Sequence, residues 1–201
     1  MSRTQTHQRI RIRRLKRVLV LISALMVATT LLLTSCNNRR WNDKQRKATR
    51  EMIEQWRQLA YLNALTEEEF ALFAGRVTDV LEEEYPSYVE FVEMPMVGDS
   101  VEMVIVATIV TDIKASPTRL GHIFPYEELV ANNILPEGLD QATVAPFYVC
   151  MAEKVNTLYG TMLEFVQDII YSRLDDMIVA RMISQCAQPY WDVEMEVIDI
   201  R

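Results

Sequence analysis

The chain has 201 residues, half of them apolar, with 21 Lys and Arg against 28 Asp and Glu and a formal charge of −7. Five glycines and seven prolines in that length exclude a low-complexity or disordered chain, and the length fits one folded domain. An acidic chain lacks the basic footprint that phosphate backbones require, so no nucleic-acid partner is expected.

The charge is unevenly spread. Residues 1–35 hold seven Lys and Arg and no acid. Their basic run, Arg9 to Arg17, is followed by an uncharged run, Val18 to Leu33, and then by Leu33-Thr34-Ser35-Cys36. Basic head, apolar body and small-residue exit come in the order of a secretory signal. The last four residues resemble the lipobox of bacterial lipoproteins, an aliphatic residue and two small ones before a cysteine. The resemblance implies cleavage between Ser35 and Cys36 and lipidation of Cys36, which becomes the acylated N-terminus and the contact with membrane lipid. The alternative is an uncleaved single-pass anchor: Val18 to Ser35 is eighteen residues, at the short end of the roughly 17–25 that cross a bilayer. Basic residues hold their side in the cytoplasm, so both readings place the body beyond the inner membrane. A periplasm-facing lipoprotein is expected. Asn37 does not match the aspartate that retains enteric lipoproteins, and the choice between inner and outer membrane stays open.

Basic residues cluster again at Arg39, Arg40, Lys44, Arg46, Lys47 and Arg50, with Asp43 the one acid among them. From Glu51 onward eight basic residues face 27 acidic ones, a net of −19. Each basic group near an anionic leaflet contributes about 1 kcal/mol of attraction, so the 39–50 stretch is expected to lie against lipid. A solvated charged linker is the alternative. The expected organisation is a signal peptide over 1–35, a lipid anchor and basic tether over 36–50, and a single acidic domain over 51–201.

Asn42 and Asp43 are placed to cap a helix running to about Leu65, with Met52, Ile53, Trp56, Leu59 and Ala60 on one stripe. Thr66 and Glu69 form a capping box for a second helix that presents Phe70, Phe73, Ala74, Val77, Val80 and Leu81 and stops before Pro86. Together they make an antiparallel helical hairpin. Tyr88 to Met94 reads as a strand, Met96 to Ser100 as a turn. Val101 to Asp112, apolar on both faces through its centre, reads as an interior strand. Lys114 to Asp140 is irregular, punctuated by Pro117, Gly121, Pro125, Pro136 and Gly138, with a short helix from Tyr126 to Asn132. Pro146 to Gln188 is helical, with a break near Ser172–Asp175 and an end at Pro189. Tyr190 to Ile200 alternates apolar and acidic residues as a closing strand. The expected fold is α+β: the helical hairpin, a small antiparallel sheet of about three strands, and long C-terminal helices packed on it.

Catalytic and metal signatures are absent. His122 is the one imidazole after residue 35, so paired-histidine zinc sites and an HExxH helix are excluded. There is no G-x-S-x-G elbow and no phosphate-cradling glycine loop. Met94 and Met96, with Met103 and Met195, offer soft sulfur for Cu(I), but methionine beside a turn is ordinarily core filler. No catalytic residue, metal or cofactor is assigned. Cys150 and Cys186 invite a disulfide in an oxidising compartment. One straight helix would hold them roughly 54 Å apart, and only a bend near residue 168 or a non-helical start would join them; two free buried thiols are the alternative. The function expected is a non-enzymatic envelope lipoprotein, a binding or assembly accessory presenting its acidic domain to an envelope protein. The rival is a small envelope enzyme with its site in the 114–140 loop, signalled by a cleft lined with His122, Tyr126, Glu127 and Glu128.

Overall fold

The computed structural model describes residues 40–192, so Cys36, Arg39, Met195 and the segment from Val193 onward lie outside the described residues. The chain divides into two units, Met1–Asn42 and Asp43–Arg201. Only residues 40–42 of the first are described, and the described helices all belong to the second. Every regular element among the described residues is a helix. The expected α+β fold is therefore corrected to an all-helical one, with no sheet among the described residues.

Helix α1, Asp43–Glu54, buries Thr49 and Ile53 and packs on α3, Glu67–Glu84. The longer helix expected to Leu65 breaks after Glu54 into tight turns and resumes as one turn, α2, Ala60–Asn63. Helix α3 begins at the expected capping box. Thr66 Oγ1 accepts from the Glu69 backbone N–H at 3.2 Å, and the Glu69 carboxylate accepts from the Thr66 N–H at 3.1 Å. The box satisfies two otherwise orphaned donors.

The first two of the three segments read as strands are helices. Tyr88–Glu93 is α4, with Ser87 accepting from the Glu90 N–H; Val97–Ala115 is α5, 19 residues long. The β-branched run of α5 suggested an interior strand because it is apolar whichever way it is viewed. A helix enclosed on nearly all sides reads the same way. The helical penalty of Val and Ile is only a fraction of a kcal/mol each, and packing overrides it. Helix α5 buries Val101, Val104, Ile105, Val106, Ile109, Val110 and Ile113. Its exposed positions, Met103, Ala107, Thr111 and Lys114, recur at helical spacing.

Helix α5 is the centre of the unit. Helix α3 packs on one side of it, and on the other lie α8, Met162–Ile170, and a 3₁₀ turn, Pro117–His122. The short helix expected in the irregular region is α6, Tyr126–Ala131. Helix α7, Gln141–Lys154, packs on the 3₁₀ turn. The approach is close at Gly121, where a Cβ would meet the Tyr148 ring at 3.2 Å, and Tyr148 Oη donates to Phe124 O at 2.9 Å.

Helix α7 continues as a π-helical segment, Val155–Tyr159, that ends at Gly160 with φ +137°. Thr161 and Glu164 form a second capping box and start α8 in a new direction. A further turn at Ser172, φ +52°, leads to α9, Asp176–Asp192, which packs on α7 and the π segment. The two turns together leave α9 antiparallel to α7, with Tyr190 beside Thr143 and Cys186 beside Cys150, Cα atoms 5.7 Å apart, and the cysteine pair is a disulfide. The geometric objection to the bond assumed one break; there are two. The expected closing strand is also corrected where it is described. Pro189 lies inside α9, and Tyr190, Trp191 and Asp192 extend that helix. Tyr190 Oη donates to Thr143 O and Trp191 Nε1 to Ile134 O, each at 2.9 Å.

Candidate functional site

The residues expected to line a cleft in the 114–140 region turn to different partners. Tyr126 ties its own loop: its hydroxyl donates to Pro136 O at 2.7 Å and accepts from the Leu139 N–H at 2.9 Å. Glu127 and Glu128 are exposed in the first turn of α6. His122 faces the opposite way, edge-on to the Tyr61 ring at 5.3 Å and 3.3 Å from Arg119 Nη1.

His122 belongs to a polar network that joins α2, α3, α5 and the 3₁₀ turn. Arg119 pairs with Glu69 at 3.2 Å. Tyr61 donates to Asp112 at 3.2 Å, and Asp112 also receives Arg76 at 2.6 Å. Burial, then the Arg119 charge, push the His122 pKa below its ordinary value. Burial, then the Asp112 carboxylate, push the Tyr61 phenol well above its own. A neutral imidazole and a phenol that resists ionisation serve as fixed hydrogen-bonding groups.

This network closes one end of an open groove between α3 and α5, about 410 Å³ in volume. Arg76 and Asp112 stand at that end; Glu84, Tyr85 and Ser100 stand at the other. The floor is Val80, Val104, Ala107 and Thr108, with Met103 at the lip. Thr108 and Thr111 donate their hydroxyls to their own helix, at Val104 O and Ala107 O, 2.7 and 2.8 Å. Their donor capacity is thereby occupied, and the floor stays apolar despite two threonines. Val80 is 44% exposed and Met103 68%, although both sit where a core residue would be at home. The sequence pattern placed Val80 on the buried face of its helix and read Met103 as core filler or a sulfur ligand. The usable signal is the i, i+4 row Leu72, Arg76, Val80 and Glu84 on α3, but its facing row on α5 is visible only once that segment is known to be helical.

The surroundings of the groove are acidic. Glu84 is exposed at its Tyr85 end, and Glu83 and Asp99, next in sequence to the lining residues Glu84 and Ser100, are exposed as well. Of the arginines after Glu51, Arg57 pairs with Glu67 at 2.8 Å, Arg76 with Asp112, Arg119 with Glu69, and Arg173 with Asp168 at 3.0 Å. Four of the body's arginines are thus matched within it, and the acidic excess after Glu51 remains.

The six basic residues expected near the membrane do not behave alike. Arg46 bridges to Asp79 and Glu82 on α3, so it serves the fold. Arg40, Lys44, Lys47 and Arg50 are exposed. No helix among the described residues is long and apolar enough to cross a membrane. Comparison with known protein families, curated proteins and solved structures finds no match to this chain.

Proposed function

We propose that the protein is an envelope lipoprotein, acylated at Cys36 and facing the periplasm, whose acidic helical body binds a protein partner without catalysing a reaction. The α3–α5 groove is the observation that carries this reading. It is open and apolar along its floor. An open apolar floor between two helices suits the side chains of a protein partner. The Cys150–Cys186 disulfide adds support for the compartment, because such bonds persist outside the reducing cytosol. The exposed Arg40, Lys44, Lys47 and Arg50 suit a body held close to anionic lipid.

The test combines labelling with site-directed crosslinking in intact cells. A fatty-acid analogue should label the wild type and not Cys36→Ala. A photo-reactive residue at position 103 should give a discrete adduct, while one at the exposed Met177, on α9, should not. Equal labelling of wild type and Cys36→Ala overturns acylation at Cys36, and no labelling of either favours the uncleaved anchor. Absence of any adduct from position 103 overturns the binding role.

A further inference from the structure

We propose that the α3–α5 groove receives a basic amphipathic helix from its partner. The proposal rests on the protein-binding role of the body and specifies the chemistry of the occupant. Three observations select it.

The first is dimension. The row from Arg76 to Glu84 spans eight residues of α3, about 12 Å at 1.5 Å per residue. That length matches apolar anchors at i, i+3 or i+4, and i+7 of an incoming helix, the spacing of helix-in-groove recognition. Met103 at the lip is unbranched and adaptable, the side chain used where a surface must fit a helix.

The second is charge. Glu84 is exposed at one end of the groove, and Arg76, the one cation in its lining, is already held by Asp112. An exposed carboxylate there, on a chain that is net acidic from Glu51 onward, favours a partner with Lys or Arg beside its apolar stripe and disfavours an acidic one.

The third lies within the chain. Helix α1 is itself a basic amphipathic helix on α3. It seats Ile53 and Thr49 against the core and sends Arg46 to Asp79 and Glu82. Helix α3 therefore already receives one such helix along one flank. The groove offers an apolar floor and the exposed carboxylate of Glu84 along its other flank.

The experiment uses the full chain in zwitterionic lipid nanodiscs, with empty discs subtracted. The probe is a fluorescent 18-residue peptide of Leu and Lys in helical amphipathic order. Two comparison peptides carry the same residues scrambled, or Glu in place of Lys. The ordered Leu/Lys peptide should bind, and each comparison peptide should bind at least about tenfold more weakly. Val80→Asn, Met103→Gln and Glu84→Lys should each weaken binding by about tenfold. Met177→Gln should not, and all four should keep wild-type helical circular dichroism. Equal binding of the scrambled peptide, or no effect of the groove substitutions, would show unspecific charge attraction and overturn the proposal. Preference for the Glu peptide overturns it as well, and so does self-association that Met103→Gln abolishes, which makes a second copy the occupant. If the peptide fails to bind while the position-103 adduct forms in cells, this proposal fails and the binding role stands. Loss of that adduct removes the binding role itself.

Discussion

Tyr61 donates its phenolic hydrogen to Asp112 across 3.2 Å and 51 positions of sequence, and the same carboxylate holds Arg76 at 2.6 Å. One acid on the central helix thereby fixes α2 and α3 at the head of the groove. Tyr61→Phe should cost about 1.5–3 kcal/mol, the range for a hydrogen bond to a charged group. Asp112→Ala should cost more, since it leaves the buried Tyr61 hydroxyl without its acceptor. Urea unfolding of the two variants and their combination measures this. A double variant no less stable than Asp112→Ala alone would show that the hydroxyl acts only through the carboxylate.

The disulfide closes a span of 36 residues, for which the chain-entropy relation gives about 3–4 kcal/mol of stabilisation. Cys150→Ser and Cys186→Ser should each lower the melting temperature by similar amounts, and the double variant should be no worse than either. Electrophoretic mobility should shift on reduction in the wild type alone.

Gly160 occupies φ +137°, and a Cβ there would lie 2.7 Å from Glu164 Oε2. That oxygen accepts the Thr161 N–H, so Gly160→Ala combines backbone strain with displacement of a capping carboxylate. A loss of about 1–3 kcal/mol is expected. Thermal unfolding should show Gly160→Ala clearly below wild type and Gly75→Ala at or above it, because Gly75 lies inside α3 with nothing within 4 Å of its Cβ and alanine is the better helix former.

The His122 pKa is lowered by burial and by Arg119, with Glu69 and Asp112 acting in the opposite sense. A histidine that binds its proton less readily in the fold than in the unfolded chain stabilises above the unfolded value of about 6.5. That contribution is lost as pH falls through it, because the unfolded state then takes up the proton. Stability should therefore decline between roughly pH 7 and pH 5. In His122→Gln the decline across that window should be shallower, as read from urea midpoints at fixed salt.

The basic residues near the N-terminus separate into two groups. Replacing Arg40, Lys44, Lys47 and Arg50 by Gln should weaken salt-sensitive binding of the protein to anionic vesicles and leave its melting temperature unchanged. Arg46→Gln should do the reverse, because it removes the bridge to Asp79 and Glu82.

Where a local rule has a local cause, the fold was legible in the sequence. Thr66 and Glu69 announce the start of α3 because both halves of the capping box lie within four residues. Thr161 and Glu164 carry the same signature, but it sits inside a continuous apolar pattern that reads as one helix. Recognising it would have placed the turn at Gly160. Ser87 and Glu90 likewise mark α4, against a composition that suits a strand. Helix α5 was illegible for a different reason. Periodicity identifies an element by its exposed side, and α5 exposes only a thin stripe. The groove was out of reach for the same reason, since it lies along that stripe. The Cys150–Cys186 pairing depends on two turns that together reverse the chain, and neither Gly160 nor Ser172 states its φ in the sequence.

The bond between Cys150 and Cys186 also sets what a protease would see. Arg173 lies between the two cysteines with its side chain 61% exposed, directly after the turn at Ser172. Tryptic cleavage there would cut the backbone without parting the molecule, because α7 and α9 would remain linked through sulfur. The nicked form would migrate as a single species until reductant released a C-terminal fragment. Clipped and intact chains would thus be indistinguishable in size under the oxidising conditions that favour the bridge, and a break in the main chain there would cost neither mass nor the covalent continuity of the body.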